Sequence, residues 1–172
     1  MLHRFDRFSQ LDAGKLMGVY AESNLENTDY FFPDIQDKDE AVRKVEEGFL
    51  SYLELDFFQS INPSYWILEE SGQWVSALRL NELKPGFYYL EALETRPDAR
   101  RKGCGARLLT EVLEALKAKG PFILCDCVGK RNEASLRTHM KCGFEIVSEE
   151  GYDYLNDEAD SRVYGLRYQF MK

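Results

Sequence analysis

Arg96-Pro97-Asp98-Ala99-Arg100-Arg101-Lys102-Gly103-Cys104-Gly105-Ala106-Arg107 carries five cationic side chains and one anionic, inside a chain of 172 residues whose formal charge is −8. It follows a β-rich run, Phe87-Tyr88-Tyr89-Leu90-Glu91-Ala92-Leu93. It leads into Leu108, Leu109, Val112, Leu113 and Leu116, which recur at helical spacing until Gly120-Pro121 stops them. Strand, glycine-bearing basic loop and helix start together gather free backbone N–H groups, the positive end of a helix dipole and cationic side chains. That combination suits an anion. Glycines at 103 and 105 leave room for a phosphate to approach the main chain. The loop lacks the Gly-Lys-Ser/Thr of a Walker loop, and Leu108 stands where a dinucleotide fingerprint has its third glycine.

Upstream, Tyr65 to Glu69, Trp74 to Leu80 and Phe87 to Leu93 are β-rich runs separated by Ser71-Gly72 and Lys84-Pro85-Gly86, which predicts an antiparallel meander. Before it, Leu2 to Phe5 reads as a short strand. Ser9 with Asp12 predicts a helix carrying Leu11, Leu16, Val19 and Tyr20. Asp37 with Glu40 opens a second, with Val42, Val45, Phe49, Leu53 and Phe57 as its stripe. Asn24 to Asp34 reads as a turn-rich connection whose aromatics Tyr30, Phe31 and Phe32 form either a core edge or a pocket lid. Downstream, Phe122 to Val128 is apolar on both faces, as a buried parallel strand is. Asn132 to Cys142 is a second helix stopped by Gly143, and strands follow near Phe144 to Ser148 and Arg162 to Phe170. The expected architecture is one mixed α/β (α+β) domain over residues 1–172.

Composition narrows the function classes. With 44% hydrophobic residues the chain can form a core, and a net charge of −8 disfavours a general nucleic-acid binder. No apolar stretch approaches the roughly 18 residues of a membrane span. Asp6 interrupts the place where a signal peptide needs an apolar core, so a cytoplasmic protein with no membrane partner is expected. Cys104, Cys125, Cys127 and Cys142 fit neither a disulfide framework nor a zinc knuckle, with only His3 and His139 beside them. Reduced thiols and no metal are expected. Glu145 to Asp160 holds seven acids and no Lys or Arg; it either attracts a cationic ligand or is a solvated hairpin.

Two motifs resemble a known family. Arg100-x-x-Gly103-x-Gly105 is similar to the Gln/Arg-x-x-Gly-x-Gly/Ala signature of the GNAT superfamily of acyl-CoA-dependent N-acyltransferases, and Thr95-Arg96-Pro97 stands where Val-x-Pro is common. Asn132-x-x-Ser135 through His139 to Gly143-Phe144 is similar to the family's Asn-x-x-Ala-x-x-x-Tyr-x-x-x-Gly-Phe. The resemblance runs from about Tyr88 to Val147. It implies a mostly antiparallel sheet of six to seven strands, splayed in the middle and flanked by about four helices. It also implies acetyl-CoA as co-substrate, with the pantetheine along the backbone of Leu93, Glu94 and Thr95. The pyrophosphate would lie on Arg100, Arg101, Lys102, Gly103, Cys104, Gly105 and Ala106, with Asn132 and Ser135 as side-chain contacts. The family's frequent Tyr, proposed as acid toward the leaving thiolate, is here His139. The implied partner is an amine-bearing acceptor, cationic if the acidic stretch attracts it, and the chain a monomer or homodimer.

Such transfer needs a neutral amine, and an alkyl amine of pKa about 10 is mostly protonated at pH 7. Glu91, placed mid-strand where an unpaired carboxylate is costly, is the first candidate for the base; alternatively it is paired with a structural Arg or reaches solvent. Glu94 is the fallback, and Tyr89, on the same face as Glu91, is a candidate lining of the acceptor pocket. Direct transfer is expected over a cysteinyl intermediate. The alternative function is a non-catalytic acyl-CoA sensor or scaffold, and a nucleotide-binding regulator is weaker still.

Overall fold

A computed structural model describes residues 1–171. The strands are β1 (Leu2–Phe5), β2 (Pro63–Glu70), β3 (Gln73–Lys84), β4 (Phe87–Thr95), β5 (Phe122–Gly129), β6 (Glu145–Ser148), β7 (Gly151–Asp153), β8 (Glu158–Asp160) and β9 (Val163–Phe170). The helices are α1 (Ala13–Val19), α2 (Ala21–Phe31), α3 (Lys38–Leu55), α4 (Cys104–Lys117) and α5 (Glu133–Lys141). Seven strands form one sheet in the order β1-β2-β3-β4-β5-β9-β6, and β7 with β8 forms a separate hairpin. Only the β4–β5 pair in the sheet is parallel.

Each face of the sheet has its own core. Leu108, Leu109, Val112, Leu113 and Leu116 of α4 are at most 3% exposed and pack with Trp66, Leu68, Leu78, Leu80 and Leu90. Burying each such side chain contributes about 1.5–3 kcal/mol, so α4 and the loop before it are held firmly against the strands. On the other face Leu16 and Val19 of α1, Tyr20 between α1 and α2, and Leu53 of α3 cover Tyr65, Ile67, Trp74 and Ala77.

Several sequence expectations need correction. Residues 24–31, read as a turn-rich connection, belong to α2. Its polar residues Asn24 and Thr28 are buried; Thr28 Oγ1 donates to the Leu25 carbonyl at 2.7 Å, and packing against α3 overrides the turn preference of Asn and Thr. Tyr30 and Phe31 are 80% and 58% exposed and are no core edge. Ser9 lies in a 3-10 turn, Phe8–Gln10, and the cap of α1 is Asp12, whose Oδ1 accepts from the Lys15 N–H at 3.0 Å. The acidic stretch does form a hairpin, β7–β8, one of the two readings its sequence offered.

The central feature is a divergence of two strands. β4 and β5 pair from Phe87 with Ile123 to Leu90 with Asp126, and then separate. Beyond that point β5 keeps only β9 as partner, through Cys127, Val128 and Gly129, while β4 keeps only β3. A bulge at Ala92, at φ +53°, turns the far half of β4 away. The result is a V with backbone N–H and C=O groups along its inner edges that no strand satisfies. No helix among the described residues is long and apolar enough to cross a membrane.

Candidate active site

One side of the V is closed by the start of α4. Gly103 caps it at φ +78°, a left-handed conformation that favours glycine, and no side chain satisfies the first N–H groups of the helix. Gly105 is required for a different reason. A Cβ there would stand 3.1 Å from Thr95 Oγ1, so the absent side chain lets the helix start lie against the end of β4. Arg101, itself at φ +59°, and Lys102 are exposed and form no ion pair among the described residues. Arg100 is turned the other way. Its guanidinium pairs with Glu22 of α2, lies 3.6 Å from Glu94 Oε1, and donates through Nε to the Thr95 carbonyl at 3.3 Å. Cys104 is buried, and the side chain of Leu93 packs against the α4 core. Ala106 offers its carbonyl to Cys142 Sγ at 3.5 Å, which fastens α5 to the same helix start.

The other side of the V is α5. Asn132 is its cap, its Oδ1 accepting from the Ser135 N–H at 3.1 Å. His139 is 1% exposed. Its Nδ1 donates to the Ser135 carbonyl at 2.8 Å, which fixes the proton position on that nitrogen; Nε2 lies 2.7 Å from Asp126 Oδ2 in β5, off the ring N–H axis. The carboxylate raises His139 above its usual range against the opposing effect of burial, and burial raises Asp126. The imidazole and the carboxylate thus lie against each other between β5 and α5, at the level where β4 and β5 part.

Glu91 sits on the face of β4 that looks toward α3. Its Oε2 is 3.7 Å from Arg79 Nη2, across the β3–β4 register, and is buried without a hydrogen bond. Burial pushes Glu91 upward, Arg79 opposes, and Asp153 and Asp126 add to the rise. Glu94 is also raised, by burial first, while Ser23 Oγ donates to its Oε2 at 3.1 Å. Tyr89 is 3% exposed and is covered by Tyr154, their rings 5.5 Å apart.

A cleft of about 570 Å³ opens between α2 and α3 above this floor. Tyr20, Phe31, Phe32, Phe49 and Tyr52 give it aromatic walls, and Lys44, Arg79 and Glu94 are its charged lining, the last two partly buried. Phe31 and Phe32 thus serve the cleft and not the core. Sequence reasoning missed Arg79, Asp126 and Tyr52. A charged residue inside an apolar strand was the available signal for the first two, as it was for Glu91. Much of the acidic stretch is spent on its own turns: Asp153 accepts from the Leu155 and Asn156 N–H groups, and Asp160 pairs with Arg162 at 2.8 Å. No group of three or more His, Cys, Asp or Glu side chains among the described residues is placed to hold a metal.

The hairpin is seated through Gly151. A Cβ there would stand 2.5 Å from Val163 Cγ2 and 2.9 Å from Cys127 Sγ. Gly151→Val is expected to destabilise the fold by about 1–3 kcal/mol by overpacking. Urea unfolding checks this, and an unchanged midpoint would contradict the tight seat.

A model of the acetyltransferase (GNAT) family matches residues 23–144. The L-methionine sulfoximine/L-methionine sulfone acetyltransferases of Pseudomonas aeruginosa and Pseudomonas paraeruginosa are each 35% identical over 54 residues, a match covering 31% of this chain and 31% of the relative. Among solved structures, the IAA acetyltransferase from Bacillus cereus superposes with a TM-score of 0.62 at 17% identity, over 99% of both chains. The PaiA N-acetyltransferase of Thermoplasma acidophilum in complex with coenzyme A gives 0.62 at 15% identity, over 99% of both. An aminoglycoside 6'-acetyltransferase type Ii gives 0.64 at 13%, covering 100% of this chain and 98% of that one. At these identities the likeness is one of fold.

Proposed function

The chain belongs to the acetyltransferase (GNAT) family, and from that premise we propose that it moves the acetyl group of acetyl-CoA to a primary amine by direct transfer in a ternary complex. The observation that carries this is the V between β4 and β5, with an uncapped helix start on one arm and a cleft lined by Glu94, whose carboxyl burial raises. The pantetheine would run along Leu93, Glu94 and Thr95, on the edge of β4 that β5 has left, where the Glu94 carbonyl already accepts from Ser76 Oγ at 2.7 Å and the Thr95 carbonyl from Arg100 Nε at 3.3 Å. The N–H groups of Cys104, Gly105 and Ala106, with Arg101 and Lys102, suit a pyrophosphate. Arg100 supports the loop from behind through Glu22, Glu94 and Thr95. Asn132 retains its amide N–H groups for the cofactor after capping α5, and Ser135 has its hydroxyl 3.4 Å from His139 Nδ1.

In this proposal Glu91 receives the proton of the entering ammonium, with Glu94 as the next carboxyl. The neutral nitrogen attacks the thioester carbonyl, a C–N bond forms and the C–S bond breaks; the second proton, lost by the nitrogen as the amide forms, goes to the departing thiolate directly or through water and gives the free CoA thiol. Burial pushes the Cys127 thiol up to about 11 and raises Cys104, Cys125 and Cys142. None of the four is disposed to be a thiolate nucleophile at neutral pH, which favours direct transfer. His139 enters as the residue that ties α5 to β5 at the base of the V, because Nδ1 donates to the Ser135 carbonyl within α5 while Nε2 lies 2.7 Å from the Asp126 carboxylate of β5.

That engagement also favours a second reading, an acyl-CoA sensor with no proton donor at this position. The test is thermal melting with acetyl-CoA and with ATP, followed by thiol release across an amine panel. Stabilisation by acetyl-CoA but not ATP, with thiol release, is expected. Stabilisation without release from any amine would establish the sensor, and stabilisation by ATP alone would remove both.

Gly105→Val is expected to wedge α4 away from Thr95 and to weaken acetyl-CoA binding by about 10-fold or more, since a 1.4 kcal/mol loss of alignment is enough. Calorimetric titration checks it, and unaltered affinity would detach the loop from the cofactor.

A further inference from the structure

We infer that the acceptor is an arylalkylamine: a primary ammonium on an apolar chain that ends in an aromatic ring and bears no carboxylate, docked with its ammonium on Glu94 and its ring between α2 and α3. The inference rests on the acetyltransferase reading above and specifies the substrate class of that site. The cleft meets the V at Ala92 and Glu94, which line it from the arm of β4 that β5 has left. The accessible anion there is Glu94. Its Oε2 accepts from Ser23 Oγ at 3.1 Å, but Oε1 accepts no hydrogen bond among the described residues and, unlike Glu91 Oε2, is not sealed from solvent. An ammonium, with three donors, fits that unused acceptor. Charge counting selects the same sign. Arg79 stands against Glu91, Lys44 is 3.9 Å from Glu40, and Arg100 pairs with Glu22 and lies 3.6 Å from Glu94. Three cations thus face four carboxylates, and Glu94 is the one in excess. A carboxylate beside the amine would be repelled there, whereas a lone ammonium restores the balance.

Docking on Glu94 is compatible with proton transfer to Glu91. Glu94 and Glu91 stand in register with Ala77 and Arg79, two apart on β3, so the bulge at Ala92 leaves both carboxyls on one face of β4. The walls select the other end of the ligand. Phe31, Phe32, Val45, Phe49 and Tyr52 line the cleft. Phe31 is 58% exposed and joins neither core; its ring meets Tyr30 edge-on at 4.9 Å. A ligand ring entering the cleft covers these faces, and aromatic pairs attract beyond the area they bury. Lys44 on α3 and Arg79 against the Tyr52 ring oppose a second ammonium among them.

The experiment measures thiol release at about pH 7.5 with phenethylamine, ethylamine, putrescine and L-phenylalanine, and melting of the CoA-saturated protein with phenethylamine and with phenethyl alcohol. The amine of L-phenylalanine is less basic and more of it is neutral at this pH, which by itself favours the amino acid as nucleophile. A preference for phenethylamine over each of the others by about 10- to 100-fold in kcat/KM is therefore diagnostic. Phenethylamine should also raise the melting temperature where the alcohol, which lacks the charge, does not. Phe31→Ala removes an exposed side chain and is expected to cut the phenethylamine-to-ethylamine ratio by about 10-fold. L-Phenylalanine or putrescine used as well as phenethylamine, equal melting shifts from amine and alcohol, or a ratio unmoved in Phe31→Ala would overturn the proposal while leaving acetyl transfer intact. A melting shift specific to phenethylamine, without thiol release from any amine, would leave the cleft standing as an arylalkylamine site and remove the acetyltransferase reading.

Discussion

Replacing Glu91 by Gln is expected to lower kcat by about 10²- to 10⁴-fold, the usual contribution of a positioned base, while acetyl-CoA affinity is retained. In the unaltered protein the rate should rise with pH through the folded-state pKa of Glu91, which burial sets above the ordinary carboxylate range. That limb should vanish in the variant. Stability should move oppositely. A carboxyl whose pKa is raised on folding binds its proton more tightly in the folded state, so its contribution is favourable at low pH and is lost as pH rises through the folded pKa. Gln resembles the protonated form. Glu91→Gln should therefore melt with the unaltered protein at about pH 4 and above it at about pH 8. An undiminished kcat would assign the base elsewhere, with Glu94 the next residue to replace. A melting temperature lowered at both pH values would mean that the Arg79 pair outweighs desolvation.

Replacing Asp126 by Asn is expected to destabilise the fold by about 3–5 kcal/mol, because it leaves His139 buried beside Phe144 without its counter-charge. The pH dependence has a definite sign. His139 is raised on folding, so its stabilisation is complete below its unfolded pKa of about 6.5 and is lost as pH rises through the folded value. The gap between the two proteins should thus be wider at about pH 6 than at about pH 9. Urea unfolding at the two pH values measures it. A gap independent of pH would mean that the contact holds no proton between the residues and acts by packing alone.

Much of the scaffold was legible because its signals are local. The stripe from Leu108 to Leu116 has a helical period, the meander from Tyr65 to Leu93 is punctuated by Ser71-Gly72 and Pro85-Gly86, and both survive folding unchanged. α2 was illegible because Asn24, Thr28 and Asp29 prefer turns in isolation, and only packing against α3 makes the helix. The orientation of Arg100 depended on that same hidden helix, since Glu22 lies on it. Glu91 was found by asking why a carboxylate sits within a strand. The same question put to Arg79 and Asp126 would have marked them, but their partners follow from the β3–β4 register and from a helix returning over β5, which no spacing reveals. A hairpin in the acidic stretch was legible, but not that its Tyr154 packs on Tyr89, a contact between residues far apart in sequence that no spacing reveals.

The most direct test follows the acetyl group itself. Isotopically labelled acetyl-CoA is incubated with the protein and a panel of primary amines, and both the small-molecule products and the intact protein are weighed by mass spectrometry. The expected result is an N-acetylated amine carrying the label, one free CoA thiol per product, and no labelled protein at any time. Label that stays on CoA with every amine, or that first appears covalently on the protein, would contradict direct transfer from the V between β4 and β5.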